Sequence, residues 1–223
     1  MSSDGNWSGS WEMSFDNVTR IVKIFQHGRA FSRINMVYCL KAQKSAGAET
    51  AFLEVCGMGF KPDEKLKTAY DVDYEALYEK GYRAVMFDID NTLVPEDAPA
   101  DDRAKDFFSY LRELGFKTML LSNNRSEDRV REFAEAVGAD FCQDNSMKPL
   151  KSGYEKGMKL LGTTADTTVF VGDQIFTDML GALNAGLYTI LTSPLDKSTD
   201  GAGIKFRRVF EKPIRGIYNR MNQ

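Results

Sequence analysis

From Tyr74 onward the apolar positions of the chain switch repeatedly between two spacings. Short unbroken apolar runs alternate with longer stretches in which apolar residues recur every three or four positions, the patterns of buried strands and of one-sided helices. The spacing predicts a short helix over Tyr74–Lys80 ended by Gly81, then a strand over Arg83–Asp88. A helix over Arg103–Leu114 stops at Gly115, and "FKTMLLS" (Phe116–Ser122) is the second strand. Ser126 opens a helix with Glu127 and Asp128 in its first turn, as the helix dipole favours, and Gly138 closes it. A short strand (Ala139–Cys142), a helix (Leu150–Leu161), a strand (Thr167–Gly172), a helix (Phe176–Ala185) and a last strand (Leu187–Thr192) follow. Strands alternating with helices predict a doubly wound, Rossmann-like α/β fold, with a parallel sheet covered by helices on both faces.

The first part of the chain does not share this regularity. Met1–Ser14 is rich in Ser and Gly, and Asp16 to Glu49 carries basic residues with no acid between. Residues 1–57 are therefore expected to be a poorly ordered N-terminal extension, and 58–223 the α/β domain. The stretch Val18–Phe25 has the spacing of a short helix, for which a membrane-surface role is the competing reading.

Composition narrows the class. A hydrophobic fraction of 43% with 27% charged residues is that of a soluble globular chain. A net charge of -3 gives no global argument for nucleic-acid binding, so no nucleic-acid partner is expected. Cys39, Cys56 and Cys142 are odd in number and widely spaced, which suggests neither a disulfide framework nor a zinc site. No apolar run reaches the ~18 residues of a membrane span, and the polar start lacks the pattern of a signal peptide. The expected location is cytoplasmic.

Chemistry enters at the carboxyl ends of the expected strands, where an open parallel sheet places its ligands. "RAVMFDIDNTLVP" ends an apolar strand in two carboxylates, Asp88 and Asp90. Crowded ionised carboxylates repel, so such a pair calls for a cation or a shared proton. Ser122 and Asn123 follow the second strand, Lys148 precedes the helix near Leu150, and Asp173 follows the fourth strand with Asp178 in the next helix's first turn. Each has a plain alternative taken singly: turn former, cap, solvated lysine, dipole-favoured acid. Their order at successive strand ends favours a shared crevice.

These residues also carry a resemblance. "DIDNTLVP", "LLSNN", "MKP" and "GDQIFTD" resemble the four motifs of the haloacid dehalogenase superfamily of phosphohydrolases, and among them the YqeG branch, related to phosphatidylglycerophosphate phosphatases. The similarity runs from about Gly59 to about Asn219. It implies that Asp88 is a nucleophile forming an aspartyl-phosphate and that Asp90 is the acid and base. Ser122, the Asn123 N–H and Lys148 would bind the phosphoryl group. Mg2+ would be held by Asp88, the Asp90 carbonyl and Asp173, with Asp178 in support. The chemistry suits the residue types, because phosphoryl transfer chiefly requires positioning and neutralised charge. A phospho-accepting switch is a second reading, but it has no need of an acid at Asp90; an inactive interaction module is a third, though no motif position is lost.

The interval from Asp88 to Ser122 holds one loop and one helix, and that from Ser122 to Lys148 one helix and one strand. Neither has room for a cap domain, which in the resembled superfamily goes with large substrates. The expected partner is a phosphomonoester, with a phospholipid head group as one candidate. The tail from Ile204 sets Lys205, Arg207, Arg208, Lys212, Arg215 and Arg220 against Glu211 alone among apolar residues. Two readings stand: helices that dock peripherally on anionic lipid, or a terminal helix packed on the sheet.

Overall fold

The computed structural model describes residues 61–124, 126–198 and, in the C-terminal segment, 200, 201, 204, 205, 208, 209, 211, 212 and 215. The expectations for residues 1–57 lie outside the described residues. Six parallel strands form one sheet: β1 (Glu64–Lys65), β2 (Ala84–Phe87), β3 (Lys117–Leu121), β4 (Phe141–Gln143), β5 (Thr168–Gly172) and β6 (Tyr188–Leu191), in the order β1-β6-β5-β2-β3-β4. The chain starts its main sheet in the centre, at β2, winds outward through β3 and β4, then returns to β5 on the other side. That reversal beside β2 is where such sheets open a binding crevice.

Period-two alternation sorts the strand side chains into two cores. Val85 and Phe87 of β2, Leu120 of β3 and Val169 and Val171 of β5 face α1 (Tyr74–Glu79), α2 (Asp102–Glu113) and α3 (Glu127–Val137). Met86, Met119, Leu121 and Phe170 face the other way, onto Tyr154 and Leu161 of α4 (Lys151–Leu161) and Ala182 of α5 (Leu180–Asn184). With helices on both faces, β2 is buried at all four positions, which is why it reads as unbroken apolar sequence. Each full side chain buried this way contributes about 1.5–3 kcal/mol.

The helix limits follow the signals in the sequence. Asp101 caps α2 through the Ala104 N–H, Ser126 caps α3 through the Arg129 N–H, and Gly138 ends α3 at a φ of 69°. No domain is inserted in the described intervals between the strand ends, as expected. No helix among the described residues is long and apolar enough to cross a membrane.

Two elements differ from expectation. Strand β1 was not foreseen; it pairs with β6 through a two-residue register, braced by the Asp63 carboxylate on the Thr189 N–H (2.7 Å) and hydroxyl (2.9 Å). The stretch expected as one helix over Phe176–Ala185 is instead a wide π turn (Ile175–Met179) leading into α5. The N–H groups of Ile175 (2.8 Å) and Phe176 (3.3 Å) donate to Glu211 of the C-terminal segment, and the Gln174 N–H donates to Asp178 Oδ2 (2.9 Å). Those carboxylates hold the turn wide, a form often found at functional sites.

Candidate active site

Asp88 leaves the end of β2 while its N–H still donates to the Val171 carbonyl of β5 (3.0 Å), so the sheet fixes where its side chain starts. At the end of β3, Ser122 is tied to β4 and the loop after it, its N–H donating to the Gln143 carbonyl and its carbonyl accepting from the Ser146 N–H. The Ser122 hydroxyl accepts from the Asn124 N–H (3.0 Å). Asn123 acts as a clamp on the loop after β4. Its Oδ1 accepts from the Lys148 N–H (2.9 Å) and the Ser146 hydroxyl (3.1 Å), and its Nδ2 donates to the Lys148 carbonyl (2.9 Å). That grip fixes the backbone of Lys148. Its Nζ then reaches Asp88 Oδ1 (2.5 Å) and Asp178 Oδ1 (2.8 Å), with a side chain only 2% exposed.

Asp88, Asp173 and Asp178 converge, each offering a carboxylate oxygen within 4.8 Å of the others. Asp178 has both oxygens engaged, one by Lys148 and the other by the Gln174 N–H. Asp173 differs: Oδ2 accepts from Arg208 Nη2 (2.8 Å), while Oδ1 is buried with no hydrogen-bond partner among the described residues. Burial, then Asp178, pushes the Asp173 carboxyl up to about 7, against the opposing pull of Arg208. Burial likewise raises Asp88 well above the usual carboxylate range; Lys148 opposes, and Asp178 and Asp173 reinforce. Burial alone would lower Lys148, but Asp178 and Asp88 outweigh it and push it up. Buried acids short of positive charge, all-oxygen donors and one orphaned oxygen together fit a hard divalent cation.

Gly172 is what lets Asp178 reach this position. A Cβ there would stand 2.7 Å from Asp178 Oδ2 and 2.8 Å from its Cγ. Gly172→Ala is therefore expected to push the carboxylate off Lys148, cutting phosphatase turnover at least tenfold and lowering stability by about 1–3 kcal/mol, as overpacking does. Kinetics and thermal melts check both; a variant of ordinary stability and turnover would show that the site tolerates a shifted Asp178.

Asp90 does not join the acid group. Arg129, from the first turn of α3, takes its carboxylate side-on, with Nη2 2.6 Å from Oδ1 and Nη1 3.3 Å from Oδ2, and the Asp97 N–H adds a third contact (3.0 Å). Asn91 sits at a φ of 62°, fully buried. Its Nδ2 donates to Asp200 Oδ1 (2.8 Å) and its Oδ1 accepts from the Asp196 N–H (2.9 Å), so it ties the loop after β2 to the chain beyond β6. Nearby Glu96 is pushed up to about 7 by burial, then by Asp90, Asp97 and Asp200.

Four residues that the sequence does not place at the site thus belong to its surroundings: Arg129, Asp200, Arg208 and Glu211. The last two favour the packed reading of the tail. Arg208 and Arg215 turn inward, with side chains 12% and 19% exposed, and pair with Asp173, Asp200 and Glu211 instead of offering charge to a lipid surface. Lys205 and Lys212 stay exposed; Arg207 and Arg220 lie outside the described residues.

The haloacid dehalogenase-like hydrolase family matches residues 95–186, a span that holds Ser122, Lys148, Asp173 and Asp178. The probable phosphatase YqeG of Bacillus subtilis (strain 168) is 35% identical over 156 residues, 70% of this chain and 89% of that protein. Phosphatidylglycerophosphate phosphatase 1, chloroplastic/mitochondrial, of Arabidopsis thaliana is 26% identical over 148 residues, 62% of this chain but only 42% of that protein. Among solved structures, the cobalt-bound deoxy-D-mannose-octulosonate 8-phosphate phosphatase of Haemophilus influenzae matches with a TM-score of 0.41 at 15% identity, over 60% of this chain and 90% of that one. The YqeG match spans most of both chains, and the chain belongs to the haloacid dehalogenase-like hydrolases, as a phosphatase.

Proposed function

We propose that this phosphatase is Mg2+-dependent, passes the phosphoryl group through Asp88, and acts on the phosphomonoester of phosphatidylglycerophosphate. The observation that carries the nucleophile is exposure within the acid group. Asp173 and Asp178 are 0% exposed, whereas Asp88, at the end of β2, keeps 5%. The two sealed acids have no surface toward a substrate, which leaves Asp88 as the attacking carboxylate while it also holds the ion. The bound ion would be held by Asp88, the Asp90 carbonyl and Asp173, and would neutralise charge between Asp88 and the phosphoryl oxygens.

In the first step an Asp88 oxygen bonds to phosphorus as the bond to the leaving oxygen breaks, and Asp90 gives that oxygen its proton. Asp90 must exchange the Arg129 fork for the leaving group to do so. In the second, Asp90 takes a proton from water, the water oxygen bonds to phosphorus, and Asp88 is released with inorganic phosphate. Ser122 and the Asn123 N–H hold the equatorial oxygens while Lys148 balances their charge as a point cation.

The metal reading carries a pH dependence. Below about 7 a proton competes for Asp173, so apparent Mg2+ affinity is expected to fall by up to tenfold per pH unit as pH drops through that value. Titration calorimetry at about pH 6 and about pH 8, in buffers of different ionisation enthalpy, should show the weakening and the released protons. Equal affinity with no proton release would contradict it.

Three features support the lipid substrate. The Arabidopsis relative is named for it, the described intervals hold no cap, and Met147 (55% exposed) and Leu150 (57% exposed) flank Lys148 and Pro149 beside the crevice. The inward Arg208 and Arg215 shift the expected lipid contact from the tail to this loop. A phosphate-release screen across lipid, nucleotide, sugar and peptide phosphates tests the assignment. Turnover of phosphatidylglycerophosphate in vesicles should exceed that of soluble glycerol phosphate; equal turnover would leave the phosphatase without the lipid assignment.

A further inference from the structure

The C-terminal segment does more than cover the sheet. Its described residues from 204 to 215 are helical, and Arg208, Glu211 and Arg215 share the inward face while Lys205, Val209 and Lys212 face out. Arg208 stands between two buried acids. Its Nη2 reaches Asp173 Oδ2 (2.8 Å) and Asp200 Oδ1 (3.0 Å), and its Nε donates to Asp200 Oδ2. Asp200, 3% exposed, is itself pinned by Asn91 of the loop that carries Asp88 and Asp90. Arg215 adds a grip on the backbone of Asp173 itself, donating to its carbonyl, and Glu211 receives Arg215 in turn (3.4 Å).

The result is an Asp173 carboxylate with one oxygen committed to Arg208 and the other bare. A carboxylate left to itself in a buried site could turn either oxygen toward a cation or rotate away. Here the fork of Arg208, fixed at its far side by Asp200, selects one orientation and leaves Oδ1 for the ligand. Charge agrees with geometry. Among the described residues the ion pairs of Asp88, Asp173, Asp178 and Asp200 are with Lys148 and Arg208, so with all four acids ionised two negative charges remain for a divalent ion to balance. Without Arg208, Asp173 and Asp200 would be left as adjacent buried anions that splay apart.

We propose that Arg208 is a positioning residue of the cation site, holding Asp173 Oδ2 so that Oδ1 faces the ion, and that the C-terminal segment is thereby part of the active site. This rests on the metal reading above. Outer partners that orient a ligand typically change metal affinity by about 10- to 100-fold when removed.

The test is Mg2+ titration calorimetry on the full chain without substrate, with melting in metal-free buffer to report folding. Arg208→Ala should bind Mg2+ about 10- to 100-fold more weakly than wild type, with kcat recovering to within a few-fold at saturating Mg2+. Arg208→Lys should recover part of the affinity, because an ammonium keeps the charge but cannot span both carboxylates as a fork. Lys205→Ala, on the exposed face, should match wild type. If Arg208→Ala fails to fold, Asp200→Asn loosens the far anchor of the fork and should still weaken binding. Unchanged or tighter binding in these variants, with wild type binding Mg2+, overturns the positioning role. A wild type that binds no Mg2+ overturns the metal reading, and this inference with it.

Discussion

Asp88→Asn is expected to lose turnover by about 10⁴-fold or more while melting within a few degrees of wild type. Nucleophile knockouts in enzymes that work through a covalent step show losses of this order. The amide matches the carboxylate in shape but is a poor nucleophile toward phosphorus. The fold should survive because the substitution removes a buried like charge: Asp173 and Asp178 crowd Asp88, and Lys148 keeps Asp178 as its partner at 2.8 Å. Phosphate release under saturating substrate, with a melt on the same preparation, reads both. Substantial turnover in a folded variant would remove Asp88 from the nucleophile's role.

Lys148→Met should cost the most in stability and much of the activity. The ammonium sits between two buried carboxylates, 2.5 Å from Asp88 and 2.8 Å from Asp178, and nothing exposed is lost with it. Taking one partner from a buried ion pair typically costs about 3–5 kcal/mol, because the remaining charge stays buried. The sign with pH follows from the Asp88 carboxyl left behind: burial already raises its folded-state pKa, and losing Lys148, which opposes that shift, raises it further above the unfolded one. The loss should therefore grow as pH rises above the unfolded carboxylate range and shrink in mild acid. Mg2+ should return part of the stability by supplying positive charge. Turnover should fall by about 10²–10³-fold, the scale for losing one preorganised charge at a transferring group. Denaturant melts at two pH values with and without Mg2+ check this, and a variant as stable as wild type at about pH 8 would contradict the ion-pair account.

What the sequence disclosed and what it hid divide along one physical line. Elements stabilised by their own pattern were legible: the buried run Ala84–Phe87, the amphipathic α2 and α3, and the stops at Gly115 and Gly138. Residues attached to strand ends were legible too, since a parallel sheet puts those ends on one side. Features set by distant partners were not. β1 is two charged residues long, too short for any period, and exists through its register with β6 and the Asp63 brace. The π turn at Ile175 depends on Glu211, many residues later. Arg129 pairs with Asp90 across α2 and β3, and no local spacing marks that pairing. The tail is the clearest case, because a basic amphipathic stretch reads alike whether its arginines meet lipid or buried acids. One signal was available: Arg208, Glu211 and Arg215 recur at helical spacing on one face, and an acid between two arginines on an inward stripe suggests internal pairing.

A covalent step at Asp88 leaves a phosphoryl group on the enzyme between the two half-reactions, where it can be trapped. The full chain, incubated with Mg2+ and a radiolabelled phosphomonoester and then quenched in acid, should carry label on the peptide containing Asp88. The label should be released by mild base, as an acyl phosphate is, and should be absent from Asp88→Asn. Steady turnover with no label on that peptide, or label that persists in Asp88→Asn, would rule out Asp88 as the phosphoryl carrier.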